Sequence, residues 1–68
     1  MKNLLKVERA KKNLTQEELA QLVGVSRQTV HAIEKGKYIP STLLALKLAH
    51  IFNKDVKELF ILEESDWK

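Results

Sequence analysis

The stretch Thr15–Lys37, TQEELAQLVGVSRQTVHAIEKGK, decides the fold. Thr15 followed three residues later by Glu18 has the form of a capping box, in which a hydroxyl and a carboxylate each satisfy a backbone N–H at a helix start. The spacing of Leu19, Leu22 and Val23 then predicts an amphipathic helix with those side chains inward. Gly24 ends it, because glycine takes a left-handed conformation without a Cβ penalty. Ser26 is a good N-cap for a second helix, whose Val30 and Ile33 lie three apart on one face, and Gly36 stops that helix in turn. Two helices joined at a steep angle by so short a turn need a small side chain where they approach and a flexible residue between them. Ala20 and Gly24 meet those needs. In that arrangement Arg27, Gln28 and Thr29 have no core position. They project outward from the first turn of the second helix, beside its positive dipole end.

Working outward, a first helix is predicted from Asn3 or Leu4 to about Lys12, with Leu4, Leu5, Val7 and Ala10 as its apolar residues and Asn13 suited to its end. Glu8 falls where Leu4 and Leu5 predict an inward position, which leaves the register of this helix open. Beyond the connection Lys37–Pro40, Ser41 is the expected N-cap of a fourth helix with an inward stripe of Leu44, Leu48, Ile51 and Phe52, and Ala45 close by. Asp55 and Glu58 form a second capping box and begin a short fifth helix. The partly β-prone run Phe60-Ile61-Leu62 predicts a short strand or an extended arm. One strand cannot satisfy its own backbone, so Phe60, Ile61, Leu62 and the later Trp67 are expected to pack on a second copy. The expectation is an all-α chain of five helices, one domain over residues 1–68, with a short extended or β tail at 60–68.

A domain of 68 residues has little material for a pocket beside its core. Cys is absent, which removes disulfides and thiolate metal sites. His31 and His50 stand 19 residues apart without supporting ligands, so no metal is expected. Glu17-Glu18 and Glu63-Glu64 are neighbours in sequence whose side chains diverge on a helix. With no nucleophile elbow or phosphate-binding glycine loop beside them, catalysis is not expected. No run approaches the roughly 20 apolar residues of a membrane span, and the start lacks a signal-peptide core, which suggests a cytoplasmic protein. Charge is uneven. Residues 1–38 hold eight Lys or Arg against four Glu, whereas residues 39–68 hold four Lys against five acids. The basic half contains the opening stretch and favours a polyanionic partner.

The blocks LTQEELA, VGVSRQTV, IEKGKYIPS and LALKLAHIF, in this order and spacing, resemble the Cro and phage-repressor family of small helix-turn-helix transcriptional regulators over residues 1 to about 62. The resemblance implies a lambda-repressor-like five-helix domain that binds double-stranded DNA with the helix at 26–35 in the major groove, as a homodimer on a palindromic operator. It implies that Gln16 bonds a phosphate and braces that helix, and that Ser26, Arg27, Gln28, Thr29 and, one turn later, Ala32 belong to the DNA-contacting surface. Arg pairs with guanine, Gln with adenine, and Ala is able to touch a thymine methyl. His31 lies beside this face, toward a phosphate or a base edge. Lys35, Lys37 and Tyr38 match backbone-contacting positions, and Arg9 and Glu34 match a structural ion pair. No cofactor and no small-molecule effector are expected. A second reading is an antitoxin-like interaction module that neutralises a partner protein.

Overall fold

The helix caps expected at Thr15, Ser26, Ser41 and Asp55 are the caps of the fold, whereas the first helix begins at Leu5, after a strand at Lys2–Asn3, and not at Asn3 or Leu4. In a computed structural model covering residues 1–68, the order is β1 (Lys2–Asn3), α1 (Leu5–Lys11), α2 (Gln16–Val23), α3 (Arg27–Glu34), α4 (Thr42–Phe52), α5 (Val56–Leu59) and β2 (Phe60–Ile61), followed by a single 3-10 turn at Glu64–Trp67. Thr15 and Glu18 close the capping box at α2: the Glu18 N–H donates to Thr15 Oγ1 at 3.0 Å and the Thr15 N–H donates to Glu18 Oε1 at 2.8 Å. That backbone N–H, with help from the hydroxyl, holds the Glu18 carboxyl below its ordinary range. Ser26 and Ser41 each accept a backbone N–H, from Thr29 and Leu44, at 3.2 Å. At α5 the Asp55 N–H donates to Glu58 Oε1 at 2.9 Å.

α2 and α3 pack closely, and Ala20 of α2 is buried. Leu19 and Val23 of α2, Val30 and Ile33 of α3, and Leu44, Leu48 and Phe52 of α4 join one core with Leu5 and Leu59. Gly24 sits at φ +77°, and the turn is closed by the Val25 N–H donating to Ala20 O at 3.0 Å. Asn13, which ends the turn after α1, is also left-handed, at φ +55°. No helix is long and apolar enough to cross a membrane.

Four expectations change. α1 buries Leu5 and Glu8, while Leu4, Val7 and Ala10 are exposed. Glu8 tolerates its inward position because Lys11 Nζ reaches its carboxylate at 3.1 Å. Leu22 of α2 is exposed, and Ala20 occupies the buried place beside Leu19 and Val23. α4 buries Ala49 in addition to Leu44, Leu48 and Phe52, with Ile51 half-buried.

The fourth change concerns the tail. β2 is not left to a second copy: it pairs antiparallel with β1, placing Lys2 opposite Ile61 and Asn3 opposite Phe60. Phe60 is consequently 8% exposed and belongs to this chain's own core. Ile61, Leu62 and Trp67 are exposed. The Met1 ammonium meets Glu63 at 3.0 Å and Asp66 at 3.1 Å, and the hydrogen bond to Glu63 leads the causes that raise its pKa.

A Cβ placed on Gly24 meets nothing within 4 Å, so the objection to a side chain there is the positive φ alone. Gly24→Ala is expected to fold and to lose about 1 kcal/mol in urea denaturation, the penalty of a left-handed residue with a Cβ. A loss several times larger would place an unseen close approach at the turn.

Candidate nucleic-acid interface

α3 presents its first turn to solvent because Val30 and Ile33 take its apolar side into the core. Arg27 and Gln28 are exposed there. With Gln16 at the start of α2 and His31 one turn further along α3, they line a shallow concave surface that contains no apolar side chain. Ala32 is half-buried. Thr29 turns toward the cap instead: its hydroxyl lies 3.0 Å from Ser26 Oγ, and it lines a neighbouring groove with Tyr38 and Lys47. Ser26 is thus occupied in capping α3, and the structure separates Thr29 and Tyr38 from the group formed by Arg27, Gln28, His31 and Gln16. Lys35 joins a further groove on that second group's side, and Lys37 is exposed beyond the helix.

The orientation of α3 rests on polar contacts at its far end. Arg9 of α1 grips Glu34 in two places, with Nε donating to Oε2 at 2.8 Å and Nη2 donating to Oε1 at 3.3 Å. Its third nitrogen, Nη1, donates to Leu14 O at 2.8 Å and so fixes the turn between α1 and α2. Gln16 adds a bond from α2, its Nε2 donating to Glu34 Oε1 at 3.0 Å, and the same nitrogen lies 3.3 Å from His31 Nδ1. The expected bracing of α3 by Gln16 is therefore in place, and Arg9 and Glu34 do form the expected pair. The Arg9 and Glu34 side chains are 16% and 5% exposed, so the pair is shielded from water and salt.

Two participants escape the sequence reading. Asn3 donates from Nδ2 to Ile33 O at 2.8 Å while its Oδ1 accepts the Leu5 N–H at 3.1 Å, so one side chain caps α1 and holds the end of α3. An Asn two residues before a helical run is a capping signal, although its second bond is invisible in sequence. Lys6 lies three residues before Arg9, on the same face of α1, and lines a groove with Arg9, Gln16, His31, Glu34 and Lys35. That spacing was available to read. No group of three or more His, Cys, Asp or Glu side chains gathers to hold a metal.

Comparison with known proteins follows the same lines. A helix-turn-helix family model matches residues 5–59. An uncharacterized helix-turn-helix-type transcriptional regulator of Methanocaldococcus jannaschii is 56% identical over 66 residues, covering 97% of this chain and all of that protein. One from Bacillus subtilis is 52% identical over the same length, with the same coverage. Among solved structures, the restriction-modification controller protein C.AhdI of Aeromonas hydrophila superposes with a TM-score of 0.74 at 39% identity, over 82% of this chain and 85% of that one. The SOS-response transcriptional repressor LexA of Eubacterium rectale gives 0.78 at 35% identity, over 88% of this chain and 64% of that one.

Removing one member of a buried ion pair leaves the other uncompensated, whereas replacing both with apolar groups of similar volume is far milder. Arg9→Ala is expected to lose about 3 kcal/mol in urea denaturation. The double variant Arg9→Met with Glu34→Leu is expected to lose less than Arg9→Ala. Equal losses would mean that the pair adds nothing beyond its separate side chains.

Proposed function

The chain belongs to the helix-turn-helix family of transcriptional regulators, and on that footing we propose that it is a sequence-specific repressor or autoregulator that binds a palindromic operator as a homodimer. The observation that carries this is the exposed first turn of α3. Arg27 and Gln28 lie with Gln16 and His31 on one surface free of apolar side chains, on a helix whose far end is locked by Arg9 and Glu34. Such a helix enters the major groove, about 12 Å wide, without rearrangement. Arg27 offers a bidentate donor to guanine, Gln28 pairs with adenine, and Ala32 supplies apolar contact. Thr29, Lys37 and Tyr38, beside and beyond the helix, suit the sugar-phosphate backbone. The protein acts where the cell's DNA lies, in the cytoplasm.

One such surface spans a few base pairs, too few to single out a site in a genome, so two copies set about 34 Å apart on successive major grooves complete the reading. The apolar surface suited to joining them is centred on Leu46 of α4. Leu46 is 55% exposed and lies between two grooves, one shared with Ile39 and Phe60, the other with Leu22 and Ile51. The first groove reaches the tail strand at Phe60, and the exposed tail residues Ile61, Leu62 and Trp67 follow it in the chain. None of Arg27, Gln28 and His31 borders either groove, which leaves the DNA-facing side free in a dimer.

Selection of bound duplexes from random sequence is expected to return an inverted repeat. Against that operator, Arg27→Ala and Gln28→Ala are each expected to lose about 1–3 kcal/mol of binding and to relax the preference at one base position per half-site. Unchanged specificity in both variants would sink the assignment. In sedimentation equilibrium Leu46→Lys is expected to shift the protein to monomer. A dimer of undiminished strength would move the interface elsewhere.

A further inference from the structure

The 3-10 turn at Glu64–Trp67 carries an unmatched pair of side chains. Glu63 and Asp66 are taken up inside the chain: both meet the Met1 ammonium, and Asp66 Oδ2 also accepts the Glu63 N–H at 2.8 Å. Glu64 takes part in no ion pair and is exposed. Trp67 is 78% exposed, the most open of the large apolar side chains. In a 3-10 helix, side chains three residues apart eclipse one another, so Glu64 and Trp67 stand along one edge of the turn. The Met1 ammonium fixes where that edge stands. Met1 and Phe60 line the first groove with Leu46, and the turn is therefore held beside that groove.

Across Leu46 lies the second groove, between α2 and α4. Its apolar lining is Leu22, Val23, Leu46 and Ile51, and its polar residues are Lys47 and His50. It has no acidic side chain, and Lys47 takes part in no ion pair. An apolar slot with one free cation on it is the counterpart of an indole with one free carboxylate beside it. No residue of the tail lines this groove in its own chain. A two-fold axis brings the two together, because an isologous interface sets each patch of one copy against a different patch of the other. Leu46 borders both grooves, so an axis beside it turns the first-groove side of one copy toward the second-groove side of its partner. We propose that the turn at Glu64–Trp67 of one copy docks into the α2–α4 groove of a second copy, with Trp67 against Leu22 and Ile51 and Glu64 against Lys47. The contact is made twice in each dimer. The proposal rests on the homodimer reading above and names what the exposed tail meets.

The test uses the full chain without DNA, its dimer dissociation constant read by sedimentation equilibrium. Trp67→Ala is expected to weaken the dimer about tenfold or more, as removal of a buried aromatic anchor does. Lys47→Glu and Glu64→Lys are each expected to weaken it about tenfold or more, since either reversal sets like charges face to face at both contacts. An equimolar mixture of Lys47→Glu and Glu64→Lys proteins is expected to restore association, because in the mixed dimer each groove meets a tail of opposite charge. All three positions are exposed, and circular dichroism confirms the fold of each variant. A Trp67→Ala dimer of undiminished strength, or a mixture that associates no better than its components, overturns this inference while leaving a dimer through Leu46 standing. An unaltered protein that stays monomeric overturns both.

Discussion

Everything presented by α3 depends on the grip of Arg9 on Glu34. A helix of eight residues held only by Val30 and Ile33 would be free to roll about its axis, because two apolar side chains on one face fix depth better than rotation. Arg9 removes that freedom with a two-point contact from α1, and its third nitrogen ties the α1–α2 turn to the same node. Gln16 adds a bond from α2. Three helices therefore converge on one carboxylate that is almost completely buried. The arrangement is rigid because an unpaired charge at that depth is unfavourable in any other geometry.

The same node divides the small surface into regions of different chemistry. On one side lie basic and amide side chains around Gln16, Arg27, Gln28 and His31, and on another lie the apolar side chains around Leu46. The core is too small to absorb every apolar residue. Those left outside are spread over α1, α2, α4, the α3–α4 connection and the tail, with Leu22 and Ile39 lining grooves that Leu46 of α4 shares.

Sequence was most informative where local chemistry decides structure. Thr15, Ser26 and Ser41 cap helices by bonding N–H groups three residues ahead, and Gly24 and Asn13 accept left-handed turns that few residues tolerate, so their meaning is contained within a handful of positions. Val30, Ile33, Leu44 and Leu48 were equally readable, from helical spacing. Reading failed where a neighbour distant in sequence decides the outcome. Leu22 matches the apolar pattern of α2, yet it is exposed while Ala20 is buried beside Leu19 and Val23. Glu8 looks misplaced until Lys11 is seen to reach it. Lys2-Asn3 carries no strand pattern and becomes a strand only because Phe60-Ile61 arrives beside it. Arg27 and Gln28 were picked out by their place in the motif, whereas the exchange of hydrogen bonds among Gln16, His31 and Glu34 could not be seen without coordinates.

The pairing of Lys2 with Ile61 also shapes how the chain comes together. Most of the structure is assembled from helices adjacent in sequence, which form early because little chain must be closed to bring them into contact. The β1–β2 latch joins the most distant parts of the chain, and its closure entropy is offset only after the intervening helices have drawn the two ends close. Its release has reach as well. Asn3 holds Ile33 O from within that latch, so unzipping two strand residues removes one of the bonds on the last turn of α3, with Arg9 and Gln16 still holding Glu34. One side chain thereby ties the paired chain ends to the helix that carries Arg27 and Gln28.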